Sequence, residues 1–278
     1  MPFTFAHPAA VVPLLRPLGR WAVLSALVIG SIVPDFSYFV PFPVARWRTH
    51  DLLGLFWFCL PVGAATYAIF HGVLAAPVID LLPAALRTRC RAVAAARIPP
   101  ALSAIALSLG IGAATHIAWD AFTHAGAPIV RVSRALRFPL GTISGYPVSV
   151  FTIFQHLSTL VGILLIVLWV QRWQRSAPPS TTAPRFSLGS AARVAAIAGI
   201  VVLALLLWIA SDRVRPMHEP TLRGLQIFLR RAVPVGITAL ALSIGAYAAA
   251  WHGLARLAAT RLSPGAPSDP RVESTRRL

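Results

Sequence analysis

Long apolar stretches alternate with short polar segments along this chain. Six stretches stand out, at 21–40, 52–81, 100–123, 149–171, 190–211 and 225–253. Most of them exceed the ~20 residues that a helix needs to cross the core of a bilayer. Because a backbone in lipid must satisfy its own hydrogen bonds, isolated spans are expected to be helical. The pattern therefore predicts an all-α, polytopic transmembrane helix bundle with about six long apolar helices.

The first residues form a shorter apolar segment that is interrupted by prolines. Residues 5–17 contain three prolines and are followed closely by Gly19. We expect a short re-entrant or interfacial helix there, which turns near Gly19 and packs antiparallel to 21–34. Pro34 is expected to disrupt the first long stretch near its end, because proline lacks a backbone donor and clashes within a helix.

Two polar segments indicate how the chain is organised. The segment 174–188 is rich in Pro, Ser and Thr, which is typical of a flexible linker. It separates a membrane-embedded helical domain over 1–173, which holds most of the His and Asp residues, from a helical membrane scaffold over 189–261. The polar tail 262–278 is expected to be disordered.

Composition and charge agree with a membrane protein. Of the 278 residues, 57% are hydrophobic and only 12% are charged, which is about half the charged share of a soluble domain. The net charge is +17, and every basic residue is Arg. Because the arginines lie mainly between apolar stretches, we expect membrane lipids as partners. No nucleic-acid partner is expected, since no compact basic domain is evident, and the pattern identifies no protein partner.

A few ionisable residues within or beside the apolar stretches form a pattern of their own. Such groups are costly in a membrane and usually have a function. The residues are His7, Asp35, His50, His116, Asp120 and His124.

The last three of these residues are spaced four apart, so a helix would bring them near one of its faces. Imidazole and carboxylate groups on one face suit a divalent metal such as zinc. The alternative, a hydrogen-bonded pair of His116 and Asp120 inside the bundle, is equally compatible with the spacing.

Ordinary antiparallel connections would bring all six residues to one face of the membrane. If His7 lies at that face, the chain turns near Gly19 and returns Asp35 to it, and a short loop leads to His50. The next two stretches descend and rise again, which delivers His116 and its two helical neighbours to the same face. A carboxylate such as Asp35 near a helix C-terminus needs a cation, which an Arg or a metal would supply.

The distribution of Arg predicts the orientation of this topology. The face opposite the six residues carries more Arg than the face that holds them. The positive-inside rule then places the six residues outside the cytoplasm. A basic complement made only of Arg is typical of a GC-rich bacterial genome, so we expect a multi-pass protein of a bacterial inner (plasma) membrane.

Several segments resemble a known family. The runs MPFTFAHPAAVVPL, ALVIGSIVPDFSYF, THDLLGLFWF and ATHIAWDAFTHAG resemble bacterial membrane proteins catalogued as domain of unknown function 4184. More distantly, residues 1–130 resemble inner-membrane proteins described as metal-dependent hydrolases, which are themselves similar to zinc-dependent phospholipases C. The motif positions of that wider group fall here on His7, Pro34-Asp35, Thr49-His50, and His116 with Asp120 before Ala125-Gly126.

The chain also departs from the pattern of the wider group. Where that group often carries a second Asp and a His after Pro-Asp, this chain has Ser37 and Tyr38, and where it often has another His, this chain has Ala45. Asp51 replaces a more usual Ser, and His124 stands where the distant relatives often have Pro. The missing ligands put a multinuclear site in doubt and leave a one-metal site or none.

Two functions remain open from the sequence. The first is a metal-dependent hydrolase that acts on a lipid or phosphoester at the membrane face, as the resemblance implies. Its expected ligands are His116, Asp120, His50 and Asp35, with His7 and His124 as further ligands or as partners of ligands. Asp51 is the candidate general base, and its alternative role is to cap the following helix. The second function is a non-catalytic membrane scaffold or transport-related protein, in which the His and Asp residues form a structural network.

Overall fold

Helices form nearly all of the part of the chain that the computed structural model describes, which comprises residues 3–40, 44–95, 100–143, 146–180, 184, 186–212, 214 and 221–262. The front of the molecule is built from short helices. They are α1 (Leu15–Leu18), α2 (Leu24–Gly30), α3 (Phe36–Phe39) and α4 (Arg46–Thr49), with 3-10 segments at Thr4–Ala10, Val12–Leu14, Gly19–Trp21 and Val33–Asp35.

Longer helices make up the rest of the bundle. One continuous helix, Leu52–Leu81, contains α5 (Leu52–Gly54), α6 (Leu60–Ile69) and α7 (Ala75–Leu81), joined by π-helical turns at Leu55–Cys59 and Phe70–Leu74. The remaining helices are α8 (Ala84–Ala95), α9 (Leu102–Thr123), α10 (Pro128–Val132), α11 (Arg134–Arg137), α12 (Val150–Ser176), α13 (Ser190–Ile209) and α14 (Leu222–Leu262).

Five helical segments of the described chain are long and apolar enough to cross a membrane. They are Leu52–Leu81, Leu102–Val132, Val150–Ser176, Ser190–Ile209 and Ile227–Arg261. The predicted all-α membrane bundle is therefore confirmed. The first of the six apolar stretches differs from the others, because its apolar helical part, Leu24–Phe39, is too short to be a span.

Pro34 explains why that first stretch is broken. Helix α2 ends at Gly30, and a 3-10 turn at Val33–Asp35 separates it from α3. Proline has no N–H for a helical hydrogen bond and disfavours the α conformation of the residue before it. The interruption places Asp35 at the break, where its side chain is 1% exposed.

The N-terminal arm, residues 3–21, is short and largely 3-10 helical, as its prolines suggest. Gly19 ends α1 with a φ of 50°, a left-handed conformation that glycine adopts without strain. The arm was expected to pack antiparallel to 21–34, but its first 3-10 helix lies chiefly against α12 and α9. Gly162 permits this contact, since a Cβ there would lie 2.9 Å from the carbonyl oxygen of Ala6.

Helices α2, α6 and α9 share one hydrophobic core, to which the π-helical turn Leu55–Cys59 also contributes. Two glycines bring α2 and α9 into backbone contact. A Cβ at Gly30 would collide with the carbonyl oxygen of Leu109, and one at Gly112 would collide with that of Leu27. The buried side chains of this core are Ala26, Ile29, Val33, Phe58, Cys59, Tyr67, Leu109 and Ala113.

The back of the bundle consists of α13 and α14, which pack on each other, while α14 also contacts α3 and α7. The predicted linker 174–188 lies partly outside the described residues, and its flexibility stays a prediction. Its last residues are anchored, because Ser187 and the backbone N–H of Leu188 both donate to Asp80. Residues 263–278 of the predicted disordered tail lie outside the described residues.

A small antiparallel hairpin joins α11 to α12, which the hydropathy pattern did not predict. It pairs β1 (Pro139–Ile143) with β2 (Tyr146–Ser149), with an irregularity between Pro139 and Gly141. A hairpin this short is marginal alone, and here it is held between two helices.

Candidate metal centre

Four of the predicted residues converge in the interior between α2, α4 and α9. Asp35 comes from the 3-10 turn after α2, His50 from the end of α4, and His116 and Asp120 from successive turns of α9. One ligand atom from each lies within 4.8 Å of the others, so the group could hold a metal ion. The local sequence explains the convergence: Pro34 breaks one helix, and an i, i+4 spacing aligns two residues on another.

The four N···O distances within this cluster have the size of tetrahedron edges. Nε2 of His50 lies 3.3 Å from Oδ1 of Asp35 and 3.5 Å from Oδ2 of Asp120. Nε2 of His116 lies 3.7 Å and 3.4 Å from the same two oxygens. With metal–ligand bonds of 2.0–2.2 Å, tetrahedral ligands stand about 3.4 Å apart. Charge-assisted N–H···O bonds are shorter, about 2.7–2.9 Å.

The hydrogen bond on the other side of His116 fixes which of its nitrogens faces the cluster. Nδ1 lies 2.7 Å from the carbonyl oxygen of Ser31. A carbonyl oxygen only accepts, so Nδ1 carries a proton, and when the ring is neutral the lone pair of Nε2 faces the cluster. A backbone carbonyl commonly orients metal-bound histidine in this way.

Thr49 orients His50 by the same logic. Its hydroxyl donates to the carbonyl oxygen of Pro34 at 2.9 Å, which uses its only proton. The same hydroxyl oxygen lies 2.9 Å from Nδ1 of His50, so Nδ1 is the donor of that bond. When the His50 ring is neutral, the lone pair of its Nε2 therefore also faces the carboxylates.

Asp35 divides its two oxygens between a fixed partner and the cluster. Oδ2 accepts a 2.6 Å hydrogen bond from the hydroxyl of Thr4. Oδ1 is buried, as is Nε2 of His116, and neither atom has a hydrogen-bond partner among the described residues. Buried polar atoms without partners are rare in folded proteins, and a bound ion is one of the recognised explanations.

His7 and His124 lie on the other side of Asp120. Oδ1 of Asp120 is 3.6 Å from Nε2 of His7 and 3.3 Å from Nδ1 of His124. His7 also stacks on His116, with 3.8 Å between ring centroids. Burial, followed by the nearby His116, lowers the pKa of His7 to about 3, so the ring is neutral at physiological pH. All six residues predicted from the sequence therefore lie in one neighbourhood.

Asp51, the predicted general base, lies at the start of α5. Its Oδ1 accepts a hydrogen bond from the backbone N–H of Gly54, which is the contact of a helix N-cap. This is the alternative role that the sequence left open for Asp51. A catalytic role for Asp51 stays a prediction.

The structure also identifies polar residues that the sequence analysis did not single out. Ser31 acts through its carbonyl oxygen, which no sequence pattern reveals. Thr4 precedes His7 by three residues, a spacing that a 3-10 helix aligns on one face. Asp80, 1% exposed, receives hydrogen bonds or ion pairs from several elements on another part of the molecule. As an acidic residue at the end of an apolar stretch, it was open to the same argument as Asp35.

Comparison with known proteins assigns the chain to a family. Among curated proteins and among solved structures, none matches it significantly. The family model described as "Domain of unknown function (DUF4184)" matches residues 1–249, which include every residue of the candidate metal centre. The chain therefore belongs to the DUF4184 family.

Proposed function

We propose that this protein is a membrane-embedded, metal-dependent hydrolase whose divalent cation is held by Asp35, His50, His116 and Asp120. The observation that carries the proposal is the geometry of these four side chains. Their N···O distances of 3.3–3.7 Å suit a shared ion better than direct hydrogen bonds.

Charge and proton positions support the same conclusion. Two neutral imidazoles and two carboxylates carry a charge of about −2, which one divalent cation neutralises inside a buried site. With Nδ1 as the donor in both neutral rings, two nitrogen lone pairs face two carboxylates. That arrangement is repulsive unless a cation lies between them. Two nitrogen and two oxygen ligands are typical of zinc, which we propose as the metal.

A divalent cation at this position supplies a bound water of lowered pKa and polarises an ester or phosphoryl oxygen. The residues around it have separate tasks. Ser31 and Thr49 hold the two rings, and Thr4 holds Asp35. His7 and His124 face the second oxygen of Asp120, where they are further ligands or hold that carboxylate in place. Asp51 is the proposed general base.

A lipid or another phosphoester is the proposed substrate class. The five candidate spans support a site at membrane depth or at the membrane face, where headgroups are the most abundant esters. The distant resemblance of residues 1–130 to metal-dependent hydrolases and zinc-dependent phospholipases C supports the same class. The competing function is a scaffold with a structural His/Asp network, which predicts no bound metal.

Metal content of the purified protein tests the proposal. We expect about one zinc or manganese ion per chain in detergent for the wild type, and none for the His116→Ala, Asp120→Ala double variant. His156→Ala is the matched control, because His156 is exposed on the neighbouring α12 and should retain the metal. Circular dichroism and gel filtration verify that each variant is folded.

Hydrolysis is measured on the same samples with a chromogenic phosphodiester and with phospholipid vesicles. Activity that is present in the wild type and in His156→Ala, and absent in the double variant and after chelation, supports the hydrolase. A folded wild type without metal overturns it and leaves the structural network. Bound metal without hydrolysis of either substrate restricts the proposal to metal binding.

A further inference from the structure

A large cavity lies on the side of α3 that faces the back of the bundle. Its volume is about 950 Å³, and its walls come from α3, the end of α13 and the first half of α14. This volume is at the upper end of the range for pockets that bury a small organic ligand, about 300–1,000 Å³. No residue of the candidate metal centre lines it.

The cavity has a polar end and an apolar end. Asp212 follows the end of α13, and Arg230 and Arg231 lie in the early part of α14, so the charged groups cluster where these two helices are joined. Leu207 lies near these charged groups, since the neighbouring Trp208 donates to the carbonyl oxygen of Ala232, whereas Leu242 lies towards the other end. From Arg230 to Leu242 the helix rises about 18 Å, at ~1.5 Å per residue. This exceeds half the thickness of a bilayer core, ~30 Å.

The charged end and the apolar end of the cavity match the headgroup and the acyl chain of a membrane lipid. Both arginines are exposed, and a guanidinium group binds phosphate through paired hydrogen bonds. Against these two positive charges the described residues of the cavity lining contribute one carboxylate, that of Asp212, so the described part of the polar end is net positive. A neutral or cationic ligand would gain nothing from this charge, whereas a phosphate with an attached acyl chain uses both ends of the cavity.

The wall between the cavity and the candidate metal centre is α3. Its residues Ser37, Tyr38 and Phe39 line the cavity, and Asp35 precedes them by two residues. The hydroxyl of Thr238 on α14 donates to the carbonyl oxygen of Phe39 at 2.5 Å, which ties the two walls together. A ligand in the cavity therefore lies against the segment that carries Asp35.

We propose that this cavity is a binding site for one anionic phospholipid, with its phosphate on Arg230 and Arg231 and an acyl chain extending along α14 towards Leu242. The site does not require the metal centre to be catalytic. It provides the protein with a defined lipid in contact with α3, whether that lipid is a substrate or a permanent component.

Native mass spectrometry of the full chain in detergent tests the proposal. The protein is stripped of lipid by detergent washing and titrated with phosphatidylglycerol or with phosphatidylcholine. For the wild type we expect one phosphatidylglycerol that survives dilution and a weaker binding of phosphatidylcholine. The Arg230→Gln, Arg231→Gln variant should bind phosphatidylglycerol about tenfold more weakly or worse, because each lost charged hydrogen bond costs roughly that factor.

Two further variants separate this site from general lipid contact. Arg256→Gln with Arg261→Gln removes the same charge from the other end of α14, away from the cavity lining, and should bind as the wild type does. Val235→Phe fills the cavity with its charges intact and should also weaken retention. The proposal is overturned if both double Arg variants lose phosphatidylglycerol binding equally, or if neither loses it. In either case the bound lipid is annular lipid that surrounds the whole protein. Metal content measured in parallel shows whether the metal centre is intact.

Discussion

At the scale of single residues, hydroxyl and carbonyl groups around the candidate metal centre are as informative as the ionisable groups. The hydroxyl of Thr49 serves two partners at once, donating to Pro34 and accepting from His50. It is fully buried, at 0% exposure. Its position fixes both the tautomer and the orientation of the His50 ring, which is how groups behind metal ligands tune affinity.

A pair of variants at Thr49 tests this role. Thr49→Val keeps the shape of the side chain but removes the hydroxyl, so the His50 ring loses the partner of Nδ1. We expect zinc affinity to fall by about 10- to 100-fold, the usual effect of losing such a partner. Thr49→Ser keeps the hydroxyl and should bind zinc almost as the wild type does. A competition titration with a chelating dye measures both, and equal affinities for Val and Ser would contradict the assignment.

Asp51 presents a second question at this scale, because one carboxylate has two possible tasks. Asn caps a helix as well as Asp does, whereas Ala does not, and neither is a base. We expect Asp51→Ala to lower the free energy of unfolding by about 1 kcal/mol and Asp51→Asn to leave it nearly unchanged. If Asp51 is the general base, both variants lose hydrolysis by about 100-fold or more. Thermal unfolding and turnover separate the tasks, and a fully active Asp51→Asn leaves capping alone.

At the scale of elements, the close approach of α2 and α9 positions the centre. Gly30 and Gly112 remove the side chains that would hold the two backbones apart. The result is that the carbonyl oxygen of Ser31, just after α2, reaches Nδ1 of His116 on α9. The spacing of α2 and α9 thus determines whether one ligand is correctly oriented.

Glycine substitutions on α9 test this coupling. Gly112→Ala places a Cβ against the backbone of Leu27 and Ser31, so the helices must move apart. We expect a loss of about 1–3 kcal/mol in stability, typical of overpacking, together with weaker zinc binding. Gly110→Ala is the matched control on the same helix, because its Cβ meets nothing closer than 3.8 Å. Similar thermal unfolding and zinc affinity for the two variants would contradict the proposed role of the helix contact.

At the scale of the whole molecule, Asp80 connects the front and the back of the bundle. The side chain lies at the end of α7 and pairs with Arg91 of α8 at 2.7 Å. It also accepts hydrogen bonds from Ser187 and Leu188 at the end of the predicted linker, and from Trp251 of α14 at 3.0 Å. One carboxylate therefore joins four parts of the chain.

Substitution of Asp80 should lower the stability of the protein and release the end of the linker from the helices. Asp80→Ala leaves Arg91 and three further donors without their common acceptor, and loss of one partner of a buried pair costs about 3–5 kcal/mol. Because Arg91 is about a fifth exposed, we expect the lower end of that range. Asp80→Asn keeps the shape and one acceptor oxygen and should lie between Ala and the wild type. Thermal unfolding measures this order, and faster proteolysis at 174–188 in Asp80→Ala measures release of the linker.

The orientation of the bundle is the second prediction at this scale. Because the face opposite the candidate metal centre carries the excess of Arg, we expect that face, and the C-terminus, to lie in the cytoplasm. A reporter that is active only in the cytoplasm, fused after Leu278, should therefore be active. Activity of a periplasmic reporter at the same position would reverse the orientation and place the metal centre on the cytoplasmic side.

The sequence by itself determined the class of the fold, and it singled out the residues of the candidate site. Apolar length specifies a spanning helix because lipid leaves the backbone no other partner, and ionisable residues in such stretches are rare enough to be noticed. This reasoning singled out His7, Asp35, His50, His116, Asp120 and His124 as candidates. The family membership is consistent with the motifs that carry these residues.

Only the tertiary structure decided the geometry around them. Distances, tautomers and the contributions of Ser31 and Thr4 depend on backbone positions in elements far apart in sequence, and periodicity within one helix does not determine those positions. The same limit explains the N-terminal arm, whose place on α12 follows from a close contact at Gly162. The contacts of Asp80 were not predicted for the same reason. Packing between helices determines which polar groups meet over long sequence distances, and these contacts leave no periodic pattern within any one helix.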